Sequence, residues 1–112
     1  MGLFTRGHSI DVVEASAGQR SGRLVLVDVR EPSERARGAA PGSRHLPLGR
    51  LEEGLGRLPA DRPVAFICQS GRRSAMAAAL ARRVGLDARN VSGGMRAWER
   101  HGLDTTVPGE AR

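Results

Sequence analysis

Two four-residue runs, Leu24-Val25-Leu26-Val27 and Val64-Ala65-Phe66-Ile67, are apolar at every position. Neither alternates polar with apolar residues, so neither suits a strand with one wet face. Runs this short and this continuous predict strands covered on both sides. The first follows turn material, Gly18-Gln19-Arg20-Ser21-Gly22, and the second is bounded by Pro63 and a glycine-containing loop. Helical spacing fills the intervals. Ile10, Val13 and Ala17 predict a short helix from Ser9 to Ala17 with Ser9 as N-cap. Pro32, flanked by Glu31 and Glu34 at the positive end of the macrodipole, opens a short helix reaching Arg37. Leu48, Leu51, Leu55 and Leu58 predict an amphipathic helix over Gly49 to Leu58, ended by Pro59. A helix from about Arg72 to Val84 carries Met76, Leu80 and Val84 at four-residue steps, with Gly85 ready as C′. Strand and helix in alternation predict an α/β fold, a parallel sheet with helices on both faces.

The remaining punctuation is consistent with that plan. Pro41-Gly42 is a type II turn signal, and Arg44 to Leu48 after it is extended, an edge strand at most. A short strand near Arg89-Asn90-Val91 leads through Ser92-Gly93-Gly94 into a helix to about His101, whose Trp98 packs inward. The tail from Thr105 to Arg112 is expected to fray. With 112 residues the chain predicts one domain, residues 1–112, its core about 9–103 and its tail 104–112.

Composition removes several function classes. A single cysteine excludes an internal disulfide framework and a thiolate-rich metal site, and it fits a reducing compartment, the cytoplasm. The N-terminal Met1 to His8 has no long apolar region, and no run approaches the roughly 18 apolar residues that span a bilayer, so the chain reads as unprocessed and without a membrane partner. The net charge of +6 rests on eighteen arginines and no lysine. These are scattered among acids and accompanied by two Phe, one Trp and no Tyr for base stacking, which argues against a nucleic-acid partner. A codon-usage bias toward arginine explains the scatter, and a mildly positive surface attracts small anions.

Cys68 stands where the second apolar run stops and Gln69-Ser70-Gly71-Arg72-Arg73-Ser74 opens into the alanine-rich helix. A strand-to-helix turn converges backbone N–H groups, the helix dipole adds positive potential, and two arginines add full charges. Such a setting favours thiolate over thiol. Asp28 occupies the matching carboxyl end of the first strand, the end at which sites of open α/β sheets lie.

Together, Leu26-Val27-Asp28-Val29-Arg30, Pro41-Gly42, Cys68 to Ser74, and Gly93-Gly94-Met95-Arg96-Ala97-Trp98 resemble a single-domain rhodanese-like sulfurtransferase over about Leu24 to Leu103. The resemblance implies about five strands in a largely parallel central sheet flanked by helices, and a cysteine that carries sulfur as a persulfide. One departure is that Gly38-Ala39-Ala40-Pro41-Gly42 stands where the family commonly has Gly-His-Ile-Pro-Gly, so Ala39 replaces a supporting histidine. His45 is the candidate substitute.

The expected chemistry is sulfur transfer with Cys68 as catalytic nucleophile and Gln69, Ser70, Gly71, Arg72, Arg73 and Ser74 as the substrate-binding loop. Cys68 attacks the outer sulfur of an anionic donor such as thiosulfate and expels sulfite, and the loop holds the anions while Arg72 and Arg73 receive the oxyanion. Neither metal nor organic cofactor is needed. Several side chains keep two readings: Arg72 and Arg73 as binders or a solvated helix start, Gly71 as an anion approach or a simple turn, Ser70 and Ser74 as donors to sulfur or helix-start residues. Asp28 and Arg30 either orient the loop or form an ion pair locking neighbouring loops. With no resolving thiol, the persulfide must discharge to an external acceptor: cyanide, a small thiol or a sulfur-acceptor protein. A cysteine phosphatase or arsenate reductase is the rival enzyme, but its loop is one residue longer than the six from Cys68 to Arg73. A non-catalytic or persulfide-delivering binding module is the rival from another class.

Overall fold

The structure, a computed structural model, describes residues 7–109. Most of the N-terminal stretch read as unprocessed (residues 1–6) and the end of the tail (residues 110–112) lie outside the described residues. Five strands, β1 (Ser9–Ile10), β2 (Val25–Asp28), β3 (Arg44–His45), β4 (Val64–Ile67) and β5 (Ala88–Val91), form one sheet in the order β1-β5-β4-β2-β3. Every pairing is parallel. The two apolar runs are the neighbouring strands β2 and β4 at the centre, with Leu26 opposite Ala65 and Val27 opposite Phe66.

Four helices connect the strands, α1 (Val12–Ser21), α2 (Pro32–Arg35), α3 (Leu51–Gly54) and α4 (Arg72–Arg83), and α5 (Gly94–Arg100) follows the last strand. Strand side chains alternate between faces, so each apolar run feeds two cores. Leu26, Ala65, Ile67 and Val91 pack with Val12 and Ala15 of α1 and with Met95 and Trp98 of α5. Val27, Val64, Phe66 and Ala88 pack on the other face with Leu51 of α3 and Ala77, Ala78 and Ala81 of α4. Cys68 follows Val64 and Phe66 in the same alternation and joins the α4 side. That register aims the thiol at the start of α4.

Several local expectations are corrected. Ser9 does not cap a helix; Ser9 and Ile10 pair with Asn90 and Val91 as an edge strand. The N-cap is Asp11, whose carboxylate accepts the Glu14 N–H (2.8 Å), and β pairing of the buried Ile10 displaces the helix start. The turn expected over Gly18 to Gly22 is the last part of α1, closed by Gly22 in the left-handed conformation. A single helix over Gly49 to Leu58 is replaced by two 3-10 turns, Leu48–Arg50 and Leu55–Arg57, around α3. Glycines at positions 49, 54 and 56 weaken continuous α-helix there, while the leucines still face the core. The tail is anchored at Thr106, which exchanges backbone hydrogen bonds with Ala39 (2.8 and 2.9 Å).

The apolar face of α4 is also not the one its large residues suggested. Met76, Leu80 and Val84 are 58%, 40% and 64% exposed, whereas Ser74, Ala77, Ala78 and Ala81 are buried. Phe66 and Val64 already fill the space over the sheet, so the helix approaches only with small side chains. Among the described residues no helix is long and apolar enough to cross a membrane. We predict that Ala81→Leu destabilises by about 1–3 kcal/mol through overpacking, while Val84→Lys changes stability by less than about 0.5 kcal/mol. Denaturant titration of the two variants measures both.

Candidate active site

Cys68 follows the last residue of β4 and is 1% exposed. Its Sγ accepts the Gly71 N–H at 3.1 Å and the Ser74 N–H at 3.4 Å, and the Ser74 Oγ lies 3.3 Å away. Gly71 is the N-cap residue of α4 at φ +108°, and no capping side chain serves that helix start. The sulfur fills the acceptor's place there. Burial pushes the thiol pKa up, yet the Ser74 hydroxyl and the N–H groups of Ser74, Gly71 and Ser70 outweigh it and bring the thiol below its ordinary value. An anion is therefore favoured by neutral donors at contact.

The loop carrying those donors is held from behind by α5. Met95 N–H donates to the Cys68 carbonyl (2.8 Å) and Arg96 N–H to the Gln69 carbonyl (3.0 Å), so the first turn of α5 is satisfied by the cysteine loop itself. Gly94 permits this docking. It sits at φ +56°, and a methyl group there would collide with the Cys68 and Gln69 carbonyls. Gly71 is constrained in the same way, since a Cβ would come within 3.3 Å of the Gly93 nitrogen. The two motifs, far apart in sequence, are one backbone interlock.

At the end of β2, Asp28 is fully buried and accepts the Arg30 N–H (2.9 Å) and the Arg30 Nη2 (2.9 Å), with Arg35 Nη1 at 3.1 Å. Arg30 then donates to the Gly38 carbonyl (2.8 Å) and to Gln69 Oε1 (3.3 Å). The pair ties neighbouring loops together, and through Gln69 one of those it touches is the cysteine loop. Around the missing histidine, Ala39 is buried and paired with Thr106, while the His45 ring donates to the Arg30 carbonyl (2.8 Å). His45 thus supports the same hub from the edge strand.

The two loop arginines differ. Arg72 is exposed and has no ion-pair partner among the described residues. Arg73 is engaged by Glu34 through two 2.8 Å hydrogen bonds, a bidentate clamp. Glu34 Oε1 also accepts the Glu31 N–H (2.9 Å), closing the first turn of α2. The Arg73 fork, against an opposing push from burial and with help from the Glu31 N–H, holds the Glu34 carboxyl at about 2. Ser70 is exposed and contributes its N–H rather than its hydroxyl. Arg30, Glu34, Arg37, Gly38, Gln69 and Glu99 line a polar pocket of about 300 Å³ beside the loop. A larger recess of about 520 Å³, between Leu24 and Pro63, opens at the amino ends of the strands, away from the thiol.

Sequence reasoning did not assign Asn90, whose Oδ1 accepts from the Ser74 hydroxyl at 2.6 Å, nor Glu34 as the partner of Arg73. An uncharged polar residue between the buried ends of a short strand, beside Arg89, was the available signal for Asn90. Nothing in the spacing joins Glu34 to Arg73.

The profile of the Rhodanese-like domain matches residues 11–101. The chain belongs to the rhodanese-like family. This rhodanese-like chain is 38% identical over 86 residues to a protein of Allochromatium vinosum named sulfurtransferase, covering 76% of this chain and 80% of that one. It is also 38% identical over 93 residues to the human thiosulfate:glutathione sulfurtransferase, covering 70% of this chain and 81% of the relative. Among solved structures, a rhodanese-related protein from Thermoplasma volcanium superposes with a TM-score of 0.83 at 30% identity, over 89% of this chain and 98% of that one.

The Glu34 clamp has a pH signature. A carboxyl lowered from 4.5 to about 2 on folding contributes stability above about pH 4.5 that is lost as pH falls toward 2. The stability difference between wild type and Glu34→Gln should therefore be largest near neutrality and shrink between pH 4.5 and 2, as read by denaturant titration at each pH.

Proposed function

We propose that the protein is a sulfurtransferase that moves sulfane sulfur from thiosulfate or a similar donor to an external acceptor through a persulfide on Cys68. The observation that carries this reading is the Cys68 Sγ set among the N–H groups of Gly71 and Ser74 at the start of α4. The Cys68 thiolate attacks the outer sulfur of the donor, a new S–S bond forms, the donor's S–S bond breaks, and sulfite leaves with the electron pair. Charge is conserved at each stage, and the terminal persulfide anion remains where the loop donors converge. Loop residues Gln69 to Ser74 form the anion-binding turn, with Arg72 free to receive the sulfonate end. Arg73, clamped by Glu34, adds field rather than a vacant fork.

In the second half-reaction an external thiolate or cyanide attacks the outer persulfide sulfur and returns Cys68 as thiolate. No second cysteine is present to intercept it. The pocket beside Gln69 carries Arg37 and Glu99, charges of opposite sign. Such a pocket suits a small thiol bearing carboxylate and ammonium groups, the kind of acceptor named for the human relative. The parallel between this polar pocket and that name supports a thiol acceptor over a purely binding role. Asp28 and Arg30 act as supports of the loop, and the reaction as drawn uses neither metal nor organic cofactor.

After exposure to thiosulfate, intact mass of the protein should show the gain of one sulfur atom, and Cys68→Ser should show none and transfer no sulfur to cyanide. A wild-type protein that takes up no sulfur would instead fit a binding module, and Cys68-dependent hydrolysis of an aryl phosphate would fit a phosphatase. Arg72→Ala should raise the KM for thiosulfate by about tenfold with a smaller change in kcat, as loss of a charge-assisted contact to bound donor requires. Steady-state kinetics with cyanide as acceptor reads this.

A further inference from the structure

We propose that Asn90 is a positioning residue that sets the direction of the Ser74 hydroxyl and, through it, the ionisation of Cys68. The inference rests on Cys68 being the reactive thiolate, and it concerns a residue outside the cysteine loop altogether. Asn90 lies on β5 in the same alternation as Ala88, so its side chain faces α4, where Ser74 occupies the first turn. The Ser74 Oγ is shared between two partners, Asn90 Oδ1 at 2.6 Å and Cys68 Sγ at 3.3 Å.

A hydroxyl has one proton to donate. With that proton on Asn90 Oδ1, the Ser74 oxygen can only accept from Cys68, which is the arrangement of a protonated thiol. A thiolate accepts only. To serve it, the hydroxyl proton must swing to sulfur, and an oxygen of Asn90 left 2.6 Å from the Ser74 oxygen would then repel it. A carboxamide resolves the conflict because it carries an acceptor and a donor on one group. Turned about its last torsion, Asn90 presents Nδ2–H to the Ser74 oxygen and leaves the hydroxyl proton for the sulfur. The amide thus follows the charge on Cys68, Oδ1 toward Ser74 for the thiol and Nδ2 for the thiolate. Both states keep Ser74, which is fully buried, hydrogen-bonded to its neighbours.

Other charges surround the thiol without sharing this proton. Arg72 and Arg73 stand at the start of α4, and Glu34 with Glu31 of the α2 segment faces Arg73. Arg30 with Asp28 approaches through Gln69, and Arg96 and Glu99 lie exposed on α5. On the strands beside Asn90, Arg89 pairs with Asp87, and His8, whose carbonyl accepts the Asn90 N–H, is exposed.

The test is the pH profile of Cys68 alkylation by iodoacetamide, which reports ionisation without requiring sulfur transfer. Asn90→Asp keeps the shape of the side chain but, ionised, can only accept, so it holds the hydroxyl proton away from sulfur and adds a negative charge that also disfavours the thiolate. Its alkylation profile should move up by about one pKa unit, making alkylation about tenfold slower below the pKa. Asn90→Ala frees the hydroxyl for sulfur and should leave the profile at or below that of wild type. In a Ser74→Ala background the shift caused by Asn90→Asp should shrink to the part that its negative charge exerts on the thiolate directly through space, because the relay is gone. An unshifted Asn90→Asp, an equal upward shift in Asn90→Ala, or an undiminished shift without the Ser74 hydroxyl would overturn the proposal. If Cys68 moves no sulfur but the alkylation profiles behave as described, the relay stands and the sulfurtransferase reading falls.

Discussion

The buried carboxylate of Asp28 is the interaction on which the carboxyl end of the sheet depends. It takes the Arg30 backbone N–H and guanidinium and the Arg35 guanidinium, and the two arginines spend their other donors on the Gly38, Glu34 and Ser43 carbonyls and on Gln69. One anion thereby holds α2, the turn after it and the cysteine loop against the end of β2. Removing one member of such a buried set leaves the rest uncompensated, at a typical cost of about 3–5 kcal/mol. Edge strand β3 joins through His45, and the tail joins where Thr106 pairs with Ala39. Ala39, where the resemblance would place a histidine, is thus held by backbone pairing, and the His45 ring meets the Arg30 carbonyl from the edge strand.

Within that frame the thiol is stabilised as an anion mainly by short-range dipoles. Gly71 and Ser74 supply N–H groups at 3.1 and 3.4 Å, and the adjoining α5 turn keeps their loop in place through the Cys68 and Gln69 carbonyls. Of the two loop arginines, Arg73 is paired with Glu34, which leaves Arg72 exposed. This division separates two tasks. In the reaction proposed above, the fixed donors would hold the sulfur where charge persists, and the exposed cation would meet incoming anions.

How far the sequence reveals this arrangement depends on whether local chemistry or distant packing decides each element. The β4 run, the α4 boundaries and the Pro41-Gly42 turn follow from four to twelve neighbouring residues, and all were legible. The start of α1 was not, because Ser9 and Asp11 are both competent caps and only the pairing of Ile10 with Val91 chooses between them. The buried face of α4 was misleading for a related reason. Its large apolar residues have helical spacing, but Phe66 occupies the space between helix and sheet, and the buried face of α4 carries only small side chains.

The sequence by itself determined the α/β alternation, the family, the parallel sheet and the position of Cys68 at a strand-to-helix turn, since these rest on local runs and a contiguous motif. Only the tertiary structure decided the partners of the site. Arg73 meets Glu34 across 39 positions, Ser74 meets Asn90 across 16, and the Met95 N–H meets the Cys68 carbonyl through the docking of α5. Each is a pairing of polar groups brought together by strand order and helix placement, and a buried polar group takes whichever partner the packing puts within reach.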